Sequence, residues 1–294
     1  MKILITGGSG LLGQYLNVEL SKKNDILTLY NKNIGNCVDF KNHKTDITDV
    51  LQLEKIFKNF FPNIVVHTAS ISTPQDAGKL NPKIVYAINV TATKKIAELS
   101  KKYKAKLIYT STDLVYAGYR GSMLKEDAKL IPISIYAETK LMGEVKIQET
   151  FDDYLILRMA LLYGFGLSHS KNHFSQMHED LKNHKKVKLF YDQFRTPLSL
   201  IEAAKIISSL CKGDIKNEII NTGGRERLSR VQLGEILCDN AGFDKSLIEK
   251  ISMNEFKDLP MVADVSMNTE KLQSYGIKLK SVDESIKEIL SFEL

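Results

Sequence analysis

The chain has 294 residues, of which 43% are hydrophobic and 26% charged. These proportions are typical of a globular protein with one large core, or with one large and one small domain. The net charge of +6 at pH 7 comes from scattered lysines, so we expect no nucleic-acid partner. No apolar run reaches the roughly 18 residues needed to cross a membrane, and the three cysteines have neither metal-ligand spacing nor a disulfide pattern. We therefore predict a cytoplasmic protein with no membrane partner and no metal site.

The chain begins with a strand, a glycine-rich turn and a helix. Lys2–Thr6 is a short apolar run rich in β-branched residues, which predicts a buried strand. The apolar positions that follow recur at helical spacing: Leu11, Leu12, Leu16 and Leu20. Gly7, Gly10 and Gly13 therefore lie at a strand-to-helix turn, where backbone N–H groups and the helix N-terminus can hold a pyrophosphate. A strand–turn–helix without a ligand is the alternative.

The second strand, predicted at 25–30, bears on the choice of cofactor. It is followed by Asn31 and Lys32, and no acidic residue occurs before Asp39. Dinucleotide folds that prefer NAD place a carboxylate about 20 residues past the glycines, on the ribose 2′-hydroxyl. We therefore expect NADP(H) to be used at least as well as NAD(H), with Asn31 and Lys32 near the 2′-phosphate. The alternative is that Lys32 points into solvent.

Tyr136 and Lys140 lie four residues apart on a helix predicted at 136–150, a spacing that places a phenol beside an ammonium. A nearby ammonium favours the phenolate, so we expect the pKa of Tyr136 to fall from about 10 toward neutrality. Such a phenol can protonate an oxygen whose carbon receives a hydride. Thr112, after a strand predicted at 105–110, can hold that oxygen. A surface Tyr–Lys pair is the alternative.

Strands and helices alternate through the first half of the chain. Strands are predicted near 2–6, 25–30, 63–67, 105–110 and 153–158, and helices near 11–23, 48–60, 82–103 and 136–150. This alternation predicts an α/β protein with a Rossmann-type doubly wound parallel sheet. The later elements are predicted as helices at 172–184 and 200–212, a strand at 218–221 and a helix capped by Ser229. We therefore predict a cofactor-binding region at 1–160, and at 161–294 mainly a small substrate-binding lobe with segments that return to the sheet.

Together these motifs resemble an extended short-chain dehydrogenase/reductase and, within that superfamily, the dTDP-4-dehydrorhamnose reductase family. The resemblance covers nearly the whole chain, and it is carried by Thr6–Gly13, Ser111–Tyr116, the Tyr136 and Lys140 pair, and Asp192–Pro197. It implies an NADPH-dependent reductase of a nucleotide-activated 4-keto-6-deoxy sugar. The hydride would come from the nicotinamide and the proton from Tyr136.

The residues and the resemblance together assign candidate roles. The catalytic candidates are Thr112, Asp113, Tyr136 and Lys140. The cofactor-binding candidates are Gly7, Ser9, Gly10, Leu11, Leu12, Gly13, Asn31, Lys32, Asp46, Ile47, Thr68, Ala69, Ser70, Tyr136 and Lys140. The substrate-binding candidates are Thr73, Asp76, Thr112, Asp113, Arg158 and Arg195.

Arginines are the preferred partners of a substrate diphosphate, because the guanidinium binds two oxygens at once. Arg195 is our first candidate, followed by Arg158 and then by Arg225 with Arg227. The alternative for Arg195 is a structural pair with Asp192. The chain has Met261 where many family members have arginine, and Arg195 where glycine is commoner, so the identity of the sugar stays open.

Two other functions stay open at this point. One is a regulatory protein that binds the cofactor without turnover, as the regulatory subunit of methionine adenosyltransferase does within this fold. The other is an epimerase or dehydratase of a sugar nucleotide, which usually adds an acid or base beside the tyrosine; Asp113 could serve. An intact set of Thr112, Tyr136 and Lys140 favours the reductase. A homodimer also stays open.

Overall fold

The structure is a computed structural model, and it describes residues 1–167, 169–170, 172–256 and 262–292. Met261 lies outside the described residues.

The strands are β1 (Lys2–Thr6), β2 (Asp25–Tyr30), β3 (Asn42–Lys44), β4 (Ile64–His67), β5 (Lys106–Thr112), β6 (Tyr154–Met159), β7 (Leu162–Tyr163), β8 (Val187–Phe190), β9 (Phe194–Arg195), β10 (Leu198–Ser199), β11 (Glu218–Thr222), β12 (Leu228–Ser229) and β13 (Ile248–Ile251). The helices are α1 (Leu11–Ser21), α2 (Val50–Phe60), α3 (Pro74–Lys79), α4 (Pro82–Tyr86), α5 (Ala92–Tyr103), α6 (Ile135–Gln148), α7 (His173–Lys182), α8 (Leu200–Leu210), α9 (Arg230–Ala241), α10 (Glu270–Ser274) and α11 (Val282–Leu290).

The main sheet has the order β11-β6-β5-β4-β1-β2-β3, and all of its pairings are parallel. Side chains of its strands alternate between two cores. On β1, Ile3 and Ile5 face one core and Leu4 faces the other, as the period of two in a strand requires. Helices cover both faces because neither face can be left to water. The predicted fold class is confirmed.

The order of the strands locates a crevice. The chain passes from β1 to β2 on one side and returns to β4 on the other side of β1. In doubly wound sheets such a switch point opens a crevice at the carboxyl ends of the strands, and ligands bind there. The turn after β1 and the loop after β4 therefore form its two walls.

The helix predicted at 82–103 is interrupted. A π-helical turn at Ala87–Thr91 separates α4 from α5. The Asn89 side chain accepts a hydrogen bond from the Ile71 N–H at 2.8 Å and donates one to the Thr139 hydroxyl at 3.1 Å. The π-helical turn thus carries Asn89, whose side chain links the loop after β4 to α6. Such turns often occur at functional sites.

The second half of the chain adds an edge strand and a smaller set of elements. The strand predicted at 218–221 lies at 218–222 and pairs with β6. Short strands pair as β7 with β10, β8 with β13 and β9 with β12. Leu124 bridges to Met267, so the long loop before α6 is held by the C-terminal segment.

Candidate active site

The glycine turn has no room for side chains. Gly7 has a φ of +74°, and a Cβ on it would lie 2.7 Å from the backbone nitrogen of Ala69. A Cβ on Gly13 would lie 2.1 Å from the Gly7 carbonyl oxygen. Gly10 precedes α1 without a side-chain cap, so the first N–H groups of the helix are not occupied by a capping side chain. A bare backbone beside an uncapped helix start is a cradle that fits a pyrophosphate.

The polar residues predicted beside the adenosine end face solvent. Asn31 and Lys32 are exposed just past β2. Asp46 is also exposed, and one of its oxygens accepts hydrogen bonds from the N–H and the hydroxyl of Thr48, at 2.9 and 2.7 Å. Ile47 is buried. Contacts of these four residues with a cofactor stay predictions.

The loop after β4 is fixed to β1 by threonine side chains. The Thr68 hydroxyl donates to the Thr6 carbonyl at 2.7 Å, and the Ala69 N–H donates to the Thr6 hydroxyl at 3.3 Å. Ser70 is half-buried in the same loop. The predicted cofactor residues of this loop therefore lie directly against the turn that follows β1.

His67 forms the floor of the crevice as a neutral imidazole. Its Nε2 lies 2.9 Å from the Thr93 hydroxyl, which itself donates to the Asn89 carbonyl. The Thr93 oxygen must then accept from Nε2–H, and Nδ1 accepts from the Thr6 hydroxyl at 2.7 Å. Burial, together with the charge of Lys140, lowers the pKa of His67 to about 3, so the side chain stays neutral at physiological pH.

Tyr136 is the buried phenol at the centre of the site. Ser134 caps the start of α6, which fixes the turn that carries the tyrosine. Burial raises the pKa of Tyr136 to about 12; a hydrogen bond with Thr112 lowers it, and the Asp113 carboxylate raises it. The expectation that Lys140 lowers this pKa toward neutrality is wrong in this structure, because removing water from the phenol outweighs the groups that favour its ionisation.

Lys140 lies against an aromatic ring one turn along α6. Its Nζ is 4.1 Å from the centroid of the Tyr109 ring, a favourable cation–π distance. Burial lowers the pKa of Lys140 to about 7, and the Glu144 carboxylate opposes that shift. The lysine is therefore close to its titration midpoint at neutral pH.

Asp113 and Arg195 form a buried pair beside Thr112. The Arg195 Nε is 3.5 Å from Asp113 Oδ2, and this oxygen has no hydrogen-bond donor among the described residues. Burial raises the pKa of Asp113, and the charge of Arg195 opposes the rise. Asp192 instead accepts from Ser252 and the following backbone N–H, so the alternative that pairs Arg195 with Asp192 is wrong.

Arg230, at the start of α9, lies near this pair; it was among the six arginines that could bind a diphosphate but not among those ranked from the sequence. Its Nε donates to the Gln193 side chain at 3.3 Å. Burial and the charge of Arg195 lower the pKa of Arg230 to about 10, against the opposing effect of Asp113. The one sequence feature that could have suggested a role for Arg230 is its position directly after Ser229, the residue that caps the start of α9. Asp113 is thus ion-paired with Arg195 and also feels the charge of Arg230.

The other arginine candidates are engaged elsewhere. Arg158 is only 2% exposed and pairs with Glu144 at 2.8 Å, so its predicted role in binding substrate is wrong: the strand position that carries it faces the interior. Arg227 pairs with Asp264 at 2.7 Å and stacks over an aromatic ring. Arg225 is exposed.

Thr73 and Asp76 use their side chains to begin α3. The Thr73 hydroxyl accepts from the Asp76 N–H at 3.0 Å and donates to an oxygen of Asp76 at 2.8 Å. This contact stabilises the helix start. Their predicted contact with substrate stays a prediction.

A segment of the second half of the chain lies over the glycine turn, which the sequence did not indicate. The Tyr15 hydroxyl donates to the Phe165 carbonyl at 2.7 Å. His169 Nε2 lies 2.8 Å from the Ser9 carbonyl, and because a carbonyl only accepts, this nitrogen carries the proton. Residues 161–294 therefore also contribute to the surroundings of the cofactor turn.

The described residues contain neither a metal centre nor a membrane-spanning helix. Within them, no group of three or more His, Cys, Asp or Glu side chains is arranged to hold a metal ion. Nor does this part of the chain contain a helix with the length and apolar character needed to span a membrane.

Comparisons with known proteins identify the family and the fold. The sequence model of the family described as RmlD substrate binding domain matches residues 1–293. A dTDP-4-dehydrorhamnose reductase of Mycobacterium tuberculosis is 24% identical over 260 residues, which cover 87% of this chain and 80% of the relative. Methionine adenosyltransferase 2 subunit beta of Xenopus laevis is 23% identical over 284 residues, covering 94% and 83%. The crystal structure of dTDP-4-dehydrorhamnose reductase from Bacillus anthracis in complex with NADP has a TM-score of 0.87 and 23% identity, covering 99% of this chain and 98% of that one. The last likeness shows that the two chains share one fold.

Proposed function

The chain belongs to the RmlD substrate binding domain family, and we propose that it is an NADPH-dependent reductase of a nucleotide-activated 4-keto-6-deoxy sugar. The observation that carries this proposal is the position of Tyr136. It is a buried phenol beside the Thr112 hydroxyl, near the carboxyl end of β5, which lies next to β4 in the sheet. A binding protein would have no use for a buried proton donor at this place.

The bare glycine cradle supports a dinucleotide in the crevice. A Cβ at Gly13 would clash with the Gly7 carbonyl, so the turn leaves open backbone where a pyrophosphate would rest. When bound, the cofactor supplies the hydride. The exposed Lys32 and the absence of an acid between it and Asp39 support NADPH over NADH, and the related structure from Bacillus anthracis contains NADP.

The protein supplies the proton. Because burial holds the pKa of Tyr136 at about 12, the phenol keeps its proton at pH 7 and can give it to the carbonyl oxygen as that oxygen gains charge. The Thr112 hydroxyl, which lies beside the phenol, would orient the same oxygen. The charge of Lys140 would stabilise the phenolate that remains.

The cluster of Asp113, Arg195 and Arg230 supports a substrate with a diphosphate. Two guanidiniums and one carboxylate leave a net positive charge in a site largely removed from water, and a phosphate group would neutralise it. Asp113 Oδ2 accepts no hydrogen bond from the described residues; as a carboxylate oxygen it can only accept, so a sugar hydroxyl is its natural partner.

Oxidation of NADPH in the presence of a dTDP-4-keto-6-deoxy-L-sugar tests the reductase proposal. We expect stoichiometric formation of the 4-hydroxy sugar. Tight NADPH binding without oxidation would instead support a regulatory subunit like methionine adenosyltransferase 2 subunit beta. A product changed at another carbon, with no net oxidation of NADPH, would indicate an epimerase or dehydratase.

Two arginine variants test the diphosphate. Arg195→Ala and Arg230→Ala should each raise KM for the nucleotide-sugar by about tenfold or more, because hydrogen bonds to charged groups contribute about 1.5–3 kcal/mol. KM for the free keto-sugar should change far less. Arg120→Ala is the control, since Arg120 is exposed and stacks over Tyr119. Equal effects on both substrates would mean that the diphosphate is held elsewhere.

A further inference from the structure

Glu144 is a fully buried carboxylate on α6, four residues after Lys140, and it is 1% exposed. Its Oε1 accepts the Ser111 hydroxyl at 2.5 Å and Arg158 Nε at 3.2 Å. Its Oε2 accepts Arg158 Nη2 at 2.8 Å. A buried carboxylate stays ionised only when it is paired and hydrogen-bonded in this way.

Arg158 is itself held from several sides. Its Nη1 donates to the Tyr116 hydroxyl and to the Glu126 carbonyl, both at 2.9 Å. The Tyr116 hydroxyl then donates to the Asn221 side chain at 2.6 Å. The guanidinium therefore fixes Glu144 relative to β6, β11 and the loop before α6. The Arg158 guanidinium therefore does more than neutralise the carboxylate: its additional hydrogen bonds also fix where the carboxylate lies.

The charged and titratable groups that face Lys140 come from three elements. Tyr136 and Glu144 lie on its own helix, Tyr109 on β5 and His67 on β4. Burial lowers the pKa of His67 and raises the pKa values of both tyrosines, so these three groups are neutral at pH 7. Of these groups, only Glu144 carries a negative charge.

We infer that Glu144 is a positioning residue that favours the ammonium form of Lys140, with Arg158 and Ser111 holding the carboxylate in place. The inference rests on the proposed function only for the task given to Lys140; the ionisation of Lys140 itself does not depend on turnover. Side chains at i and i+4 lie on the same face of a helix, and the site is too dry for solvent to supply the stabilisation instead. Burial has already lowered the pKa of Lys140 to about 7, so loss of the neighbouring charge would leave a neutral amine.

The direct test follows the ε-carbon resonance of Lys140 with pH in protein labelled with ¹³C-lysine, without cofactor. The signal is assigned by its loss in Lys140→Met. In Glu144→Gln the titration midpoint of Lys140 should fall by at least about one pH unit, the usual effect of removing an opposite charge nearby. An unchanged midpoint in folded Glu144→Gln would overturn the inference.

Arg158→Lys is the matched control. It keeps both charges of the pair but loses the guanidinium N–H groups that bond Tyr116 and Glu126. It should therefore destabilise the fold, while the titration midpoint of Lys140 stays unchanged. Glu144→Asp keeps the carboxylate and should retain most of the wild-type midpoint. A midpoint that falls equally in Arg158→Lys would mean that general loosening of the site, and not the Glu144 charge, controls the lysine.

Glu144→Gln alone leaves the Arg158 charge buried without a partner, which is strongly destabilising. The double variant Glu144→Gln with Arg158→Gln removes both charges and allows the two amides to bond each other. It should also lower the midpoint, but by less than Glu144→Gln does, because the Arg158 charge is removed together with the carboxylate. An unchanged midpoint in the double variant would also overturn the inference.

The pH profile of cofactor binding provides a second readout. In Glu144→Gln the affinity for NADPH, measured by fluorescence, should be weakest above pH 7 and should recover toward the wild-type value as the pH falls and Lys140 regains its proton. A purely structural defect would weaken binding equally at every pH. If the protein proves not to be a reductase, the NMR result still stands or falls on its own.

Discussion

The two walls of the crevice are built by different means. The glycine turn exposes its backbone, and its function depends on the space left by the missing side chains. The helix α6 presents Tyr136 and Lys140, both buried, and burial moves the pKa of each away from its usual value. The turn therefore depends on shape, whereas α6 depends on the charges that its neighbours carry. Variants of the two regions should fail in different ways.

Tyr136→Phe should have the largest effect on turnover. The ring remains, but the proton donor is lost, so kcat should fall by at least about a hundredfold, the usual scale of general acid catalysis. Binding of NADPH, measured by fluorescence, should change little because the phenylalanine keeps the shape of the site. Near-normal turnover would show that another group is the acid.

Gly13→Ala tests the shape of the turn. Its Cβ would lie 2.1 Å from the Gly7 carbonyl, so the backbone must shift, and such overpacking costs about 1–3 kcal/mol. The dissociation constant of NADPH should rise by about tenfold or more, with kcat at saturating cofactor much less affected than in Tyr136→Phe. Gly78→Ala is the control, because a Cβ there meets no atom within 4 Å. Unchanged affinity in Gly13→Ala would mean that the turn does not hold the cofactor.

Lys140→Met should change how stability depends on pH. The folded pKa of Lys140 is about 7, below the value of about 10.4 for a free lysine. Between these values the unfolded chain binds more protons, so this lysine makes the free energy of unfolding rise with pH, by up to about 1.4 kcal/mol per unit. Below pH 7 the folded protein carries the buried ammonium, and the full desolvation penalty of that charge lowers the free energy of unfolding.

Denaturant titrations of wild type and Lys140→Met at about pH 6 and about pH 9 measure this slope. The variant should gain stability relative to wild type at the lower pH, and the gain should shrink at the higher pH. A difference that is the same at both values would contradict the lowered pKa.

Lys32→Ala should have the smallest effect. An exposed lysine near a phosphate contributes about 0.5–1 kcal/mol, so kcat/KM with NADPH should fall by about two- to fivefold. kcat/KM with NADH should hardly change, and Lys23→Ala serves as a control at another exposed position. A wild-type protein that clearly prefers NADH would refute the expected cofactor preference.

Most of the main sheet could be predicted because its signals are local. The apolar runs at 2–6 and 25–30 coincide with β1 and β2, and the glycine spacing places the turn between strand and helix. The edge strand β3 has the sequence Asn-His-Lys, with no apolar residue, and carries no such signal. The interruption of the helix at 82–103 could not be predicted either, because it depends on a contact of Asn89 with a loop far away in the chain.

The sequence by itself determined the order of the elements, the glycine cradle and the spacing of Tyr136 and Lys140, because each depends on residues close together in the chain. Only the tertiary structure decided the direction of the tyrosine pKa, since that depends on how completely the fold excludes water. It likewise decided that Arg158 pairs with Glu144 and that Arg195 pairs with Asp113. A buried charge pairs with the opposite charge that tertiary packing brings close to it. The residues next to it in the sequence do not determine which charge that is.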